Sequence, residues 1–305
     1  MRGQQTGNGT PPAVIKPTPG TDLELYDFGD DADSGFQNTR KEELLTPFLA
    51  IIQSNSPQLD PASPVYLDAA KVGMLINTAT QQLYDGRKGI DIVPCSREYH
   101  YGLWRPRDLD GGFRGVTTPE DPQILELIRK HGHFRMPRYR DGRWTADPYR
   151  MEDGEDVEAV EEFDLYALVA PPPIELENAE RAVIAFTSTK IGVYKAWYNR
   201  AGALKYPVNG ALRRPPIWAH RWRLTTVRQE NGKGVWYNFA LDLAARADNP
   251  EAGPRDSLIS AAEPLYEMGR DFSRLVEAGE VKVDRAAAES GGAAGASGGA
   301  DDVPF

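Results

Sequence analysis

Cysteine is nearly missing from this chain: Cys95 stands alone in 305 residues, which excludes a disulfide framework and any paired-cysteine zinc site. Histidine is scarce as well, with four in all. His131-Gly132-His133, Cys95 and His100 do not reach zinc-ligand spacing. No run approaches the roughly 18–20 apolar residues that a membrane helix needs. The opening stretch, MRGQQTGNGTPPAVIKPTPG, lacks the apolar centre of a signal peptide. There is no Walker loop, no GxSxG elbow and no Cys/His nucleophile pattern. The acids of 152–164 lack the scattered, strand-borne placement that two-metal chemistry uses. The expectation is a cytosolic, non-enzymatic protein with no metal, no cofactor and no membrane contact.

Charge is present in quantity, and it is sorted. The net charge is −10, which by itself argues against a polyanionic partner. Residues 151–180, however, hold 11 acids and no base, whereas 181–238 hold 11 bases and one acid. Residues 87–150 are mildly basic, with 13 bases and 9 acids. Blocks of this kind carry information about partners that the total hides.

Residues 1–40, rich in Gly, Pro, Thr and Asp, read as a disordered acidic arm. A single domain over 41–280 is expected to follow. Apolar patterning begins near Glu42 and continues to Ile52, with Pro47 inside it. Val72–Thr78, Ile90–Cys95 (extended through Tyr99–Trp104), Leu165–Ala170 and Ala182–Thr187 read as strands. Asp121-Pro122 opens a helix that Gly132 closes. Residues 151–164 read as a solvated acidic loop, able to shield a basic groove. A second helix is expected over Ser188–Ala201. Trp218–Arg228 and Val235–Leu243 form a hairpin joined by Gln229–Gly234. Ser257–Ala278 carries apolar residues at helical spacing. Residues 281–300 are a Gly/Ala/Ser linker. The fold class expected is mainly β (α+β).

The basic segment 181–238 also holds nine aromatics, including four of the six tryptophans. Single-stranded nucleic acid offers phosphates and unstacked bases, so a binder wants cations for the first and flat rings for the second. Lys190, Lys195 and Arg200 are the leading phosphate contacts, and Tyr194, Trp197 and Tyr198 accompany them. Arg221, Trp222, Arg223, Arg228, Lys233 and Trp236 complete the candidate surface on the hairpin. Two roles are open to Trp218, Trp222 and Trp236: base platform or buried core. Residues 134–150 form a second candidate, with Arg138, Arg140 and Trp144 to the fore; a surface loop wrapped on the domain is the alternative.

The chain ends Asp301-Asp302-Val303-Pro304-Phe305 after its flexible linker. This resembles the tip of bacterial single-stranded-DNA-binding proteins, with Val303 where Ile is usual and two Asp preceding it. The resemblance implies that Phe305 fills an apolar pocket while its carboxylate, Asp301 and Asp302 pair with basic groups of a partner. Such partners are replication and recombination proteins: polymerase, helicase, primase or other host proteins that read the tip. The body, through PFLAIIQSNSP at 47–57, INTAT at 76–80, FTSTK at 186–190, WRLTTV and KGVWYNF, resembles a group of phage single-stranded-DNA-binding proteins. That implies an OB-fold-like β-barrel with helical insertions, acting in the host cytoplasm, with a homo-oligomer possible. Two alternatives stay open. One is a recombination mediator that anneals strands. The other is an adaptor that engages host proteins through the tip without binding DNA.

Overall fold

A computed structural model describes residues 45–208, 210–232, 234–283 and 285. The N-terminal arm, Lys233, most of the linker and the tip 301–305 lie outside the described residues.

In chain order the strands are β1 (Leu49–Ile51), β2 (Leu75–Asn77), β3 (Leu83–Tyr84), β4 (Ile90–Trp104) and β5 (Phe113–Thr117). Helix α1 (Pro122–His131) follows, then β6 (Tyr139–Arg140), β7 (Arg143–Trp144), β8 (Tyr149–Arg150), β9 (Asp156–Ala170) and β10 (Glu180–Thr187). Helix α2 (Lys190–Ala203) leads to the small hairpin β11 (Tyr206–Val208) and β12 (Ala211–Arg213). The long hairpin β13 (Trp222–Asn231) and β14 (Gly234–Leu243) precedes α3 (Ala244–Asp248) and α4 (Pro264–Glu277).

The protein is mainly β. Its central antiparallel sheet runs β10-β9-β4-β13-β14, with β5 added to β4 and β8 to β9. β14 ends the ladder on one side, β10 is bridged on the other only at Val183 to Phe48, and no pairing among the described residues closes the sheet into a barrel.

Both faces of the sheet centre are covered, so its strands are apolar on both sides. Phe163, Leu165, Ala167 and Val169 of β9 pack into one core with Ile184, Phe186, Phe239 and the α2 residues Tyr194 and Trp197. Tyr166, Leu168 and Ala170 point the other way, into a second core with Val93, Cys95, Val183 and the α4 residues Leu265, Phe272 and Val276. This is the period-2 alternation of a strand held between two helical layers. The far ends of β4 and β9 pack on α1 through Tyr101, Leu103, Ile124, Leu127 and Val157.

Local signals decide the clearest elements. Asp121 caps α1, its side chain accepting from the amides of Gln123 and Ile124, and Gly132 ends the helix at φ 77°. The long hairpin also forms as expected, but its strands extend to Asn231 and Gly234, which pair directly. Gln229, Glu230 and Asn231 therefore belong to the strand rather than to the turn. α4 begins only at Pro264, later than the apolar spacing implied, because a proline is favoured at a helix's first turn and breaks its interior.

One expectation is overturned. Residues 156–164 are not a solvated loop; they are the first part of the 15-residue strand β9. From Glu155 to Asp164 no acid is exposed, and Glu161, Glu162 and Asp164 are buried. Arginines remote in the chain neutralise the run. Arg105 and Arg114 meet Glu155 at 3.4 and 2.8 Å, Arg150 meets Asp156 at 2.9 Å, Arg138 meets Glu158 at 2.9 Å, and Arg285 meets Glu162 at 2.7 Å.

Candidate nucleic-acid interface

A β-bulge between Pro94 and Ser96 breaks the β4–β9 register. Bulges of this kind re-aim side chains, often beside functional sites. Here Cys95, Ser96 and Arg97 line one wall of a groove whose other walls are α2 (Tyr198, Ala201, Gly202), the segment Arg214–Trp218, and α4 (Ser273, Glu277). His220 and Trp222 line it as well, and its volume is about 280 Å³. That is below the roughly 300–1,000 Å³ of small-molecule pockets.

The groove is cationic and aromatic. The Arg97 guanidinium lies 4.6 Å from the centre of the Tyr198 ring, a cation–π arrangement. Tyr198 itself is 37% exposed. The exposed Arg214 guanidinium sits against Gly202, where a Cβ would meet it at 3.8 Å. Lys205 just before β11 and Arg213 at the end of β12 are both exposed. None of Arg97, Lys205, Arg213 and Arg214 has an acidic partner among the described residues. Glu277 is the one acid lining the groove, and it accepts from Ser273 Oγ at 3.1 Å.

Two buried polar atoms of groove residues, Trp218 Nε1 and His220 Nδ1, have no hydrogen-bond partner. Buried polar groups are nearly always satisfied, and these two are exceptions in the groove wall. His220 Nε2 is 3.2 Å from the Tyr206 hydroxyl, and burial pushes the imidazole down to about 4, so it is neutral near pH 7. Gly269 allows α4 to approach: a Cβ there would meet Trp218 Cβ at 3.1 Å.

The residues singled out from the sequence divide into distinct groups. Tyr198 and Trp222 reach the groove, although Trp222 is 2% exposed and presents little more than an edge. Trp197, Tyr194 and Lys190 do not offer themselves to a strand: they are 0%, 2% and 7% exposed, because α2 turns that face onto the sheet. Lys190 lies 5.4 Å from the centre of the Phe239 ring, and burial pulls its ammonium down to about 8. Arg223 is also buried, its Nε 2.6 Å from Asp91. Arg221 holds Glu263 at 2.6 Å, Arg228 holds Glu230 at 2.7 Å, and Arg200 spans Asp242, the Leu241 carbonyl and the Trp222 face. Lys195 is exposed, 5.6 Å from the Phe163 ring centre. Trp236 donates to Gln229 at 2.9 Å on the long hairpin.

The 134–150 candidate folds as a small hairpin bound to the acidic strand. Arg138 pairs with Glu158, Tyr139 and Trp144 meet edge to face, and Arg140 is exposed but has a partner. Sequence reasoning passed over Arg97 and Arg214. The available signal was Arg214-Pro215-Pro216, a stiff basic approach to the Trp218 turn.

Fold and site together define a mainly β protein with a two-sided core and a narrow cationic, aromatic groove at a bulged strand. The chain belongs to the Pam3 phage gp34-like protein family, which it matches over residues 19–282. No curated protein and no solved structure matches it. No helix among the described residues is long and apolar enough to cross a membrane.

Proposed function

We propose that this phage protein binds single-stranded DNA without sequence preference, as a non-enzymatic coat used in replication or recombination. The observation that carries the reading is the groove: Arg97 and Arg214, cations without acidic partners among the described residues, line it together with the partly exposed Tyr198 ring. Phosphates take the cations, and a base packs on the exposed part of the Tyr198 ring as Arg97 turns from it to a phosphate. Arg97, Tyr198, Arg214 and Trp218 replace Lys190, Trp197 and Arg223 as the contact set. On this reading the sheet is an opened relative of the oligonucleotide-binding barrel. The tip Asp301–Phe305, joined through the Gly/Ala/Ser-rich segment, recruits replication partners at high local concentration.

Intrinsic tryptophan fluorescence tests this directly. Oligo-dT should quench it and duplex DNA should not, and salt should weaken the effect. Arg97→Ala and Arg214→Ala should each flatten the log–log salt dependence by about 0.7. Tyr198→Ala should cost roughly 1–3 kcal/mol of affinity. Absence of binding at low salt, with and without residues 296–305, would overturn the proposal in favour of an adaptor that acts through Phe305 alone.

A further inference from the structure

β4 and β9 lie directly opposite each other with Glu98 against Asp164 and His100 against Glu162. Residues two apart on a strand share a face, and so do directly opposed residues. These four side chains therefore project together, next to Tyr166, whose hydroxyl donates to Glu98 at 2.7 Å. Asp164 is fully buried, Glu162 is 3% exposed and His100 is 7% exposed.

Two buried carboxylates and a buried imidazole, with the exposed Glu98 beside them, need positive charge. Arg285 supplies some of it, donating to Glu162 Oε1 at 2.7 Å and to Asp164 Oδ2. This leaves a remainder. Asp164 Oδ1 and His100 Nε2 are buried without a hydrogen-bond partner. His100 Nε2 stands 3.8 Å from both Glu162 Oε1 and Asp164 Oδ2. That is too far for a hydrogen bond, and both of those oxygens are already held by Arg285, so the imidazole nitrogen is left without a partner of its own. Glu98, His100 and Asp164 each offer one ligand atom within 4.8 Å of the other two.

We infer that Glu98, His100 and Asp164 form a binding site for one divalent cation, with Arg285 and Glu162 as its supporting shell. The ion takes up the orphaned atoms, while Arg285 holds the second Asp164 oxygen and orients the carboxylate. One imidazole with carboxylate oxygens selects Mn²⁺ or Zn²⁺ over Mg²⁺ or Ca²⁺, which favour all-oxygen sets. The site is open on the Glu98 side, which is exposed, so an ion can enter without unfolding the sheet. It is separate from the DNA reading and does not depend on it. Bound there, the ion ties β4 to β9 beside the Arg285 anchor and raises the stability of the folded chain by mass action.

The test uses the full chain near neutral pH. Mn²⁺ is titrated with the free ion read by its paramagnetic resonance signal, and Zn²⁺ is titrated calorimetrically. One ion per chain is expected, together with a higher thermal midpoint that a chelator reverses. Glu98→Gln and His100→Gln should each weaken binding by at least the roughly 10- to 100-fold that losing a supporting residue costs, while the circular dichroism spectrum is unchanged. Asp164→Asn should abolish binding; if it unfolds instead, the exposed Glu98→Gln variant still decides. No saturable binding of either ion at millimolar concentration by the folded protein overturns the site. Equal binding by the native chain and the Glu98 and His100 variants overturns it too, because the ion would then sit on other acids.

Discussion

Arg223 separates a structural arginine from a DNA-contacting one. It stands directly opposite Asp91 across β13 and β4. Its side chain is 8% exposed and that of Asp91 is 4% exposed, with Nε and Oδ1 2.6 Å apart. Arg223 also reaches Asp248 at 3.3 Å, but that carboxylate is 70% exposed and adds little. Once Arg223 is removed, Asp91 keeps one long contact, the Ile174 amide at 3.4 Å. A buried carboxylate stripped of its cation costs about 3–5 kcal/mol. For a folded body of this size that lowers the thermal midpoint by roughly 6–20 °C, at about 2–4 °C per kcal/mol.

Arg223→Met is the perturbation of choice because it keeps the aliphatic bulk. Urea unfolding of Arg223→Met, Asp91→Leu and the double variant completes a thermodynamic cycle. Each single change should cost several kcal/mol. The double change should recover most of it, because a hydrophobic pair of similar volume is often as stable as the ion pair it replaces. Oligo-dT affinity of folded Arg223→Met should match that of the native chain. A variant as stable as the native chain but deficient in DNA binding would refute the reasoning and restore Arg223 to the interface.

Three further outcomes follow from the same structure. Trp197→Ala empties the place of the largest fully buried side chain described and should cost roughly 3–5 kcal/mol in urea unfolding; a smaller loss with weakened DNA binding would make it a contact instead. His220 titrates at about 4 when folded against 6.5 as a free group, so the unfolded chain takes up its proton first. Its contribution is intact above pH 6.5 and is lost as pH falls towards 4, by up to about 3 kcal/mol. The stability gap between the native chain and His220→Gln should narrow across that window, and parallel profiles would exclude the effect. If Asp301 and Asp302 compete with phosphates for the groove, deleting residues 296–305 should raise oligo-dT affinity at low salt; unchanged or weaker binding counts against that competition.

The elements legible in the sequence are those decided within a few residues. Asp121, Pro122 and Gly132 write the start and end of α1 into ten or so positions, and the alternation flanking Gly232 does the same for the long hairpin. β9 was not legible, because what makes an acidic run a strand lies elsewhere in the chain: Arg105, Arg114, Arg138, Arg150 and Arg285. Its alternation was visible, since Val157 and Ala159 are buried between the half-exposed Asp156, Glu158 and Val160, but charge outweighed it. The aromatics of α2 misled for a related reason. Tyr194, Trp197 and Tyr198 are adjacent on the helix, yet only Tyr198 lies on its outer side. The groove combines β4, α2, the Trp218 turn and α4, and no local motif spans such distant segments.

Net charge by segment turns out to be a coarse guide, and the pairing explains why. Part of the basic charge of 87–150 meets the acids in and just before β9: Arg105 and Arg114 hold Glu155, Arg138 holds Glu158 and Arg150 holds Asp156. In 181–238, Arg200, Arg221, Arg223 and Arg228 also hold acids, mostly from outside the segment. An exposed cation already paired with a carboxylate gains little from a phosphate, because the new contact must replace the old one. A cation without such a partner gains in full and releases counterions when a strand binds. Arg181, Lys205, Arg213 and Arg214 of the segment, and Arg97 before it, meet that criterion among the described residues, and of these Arg97 and Arg214 line one groove. The salt dependence of DNA binding should therefore count these few arginines and lysines, rather than the eleven cations of the basic segment.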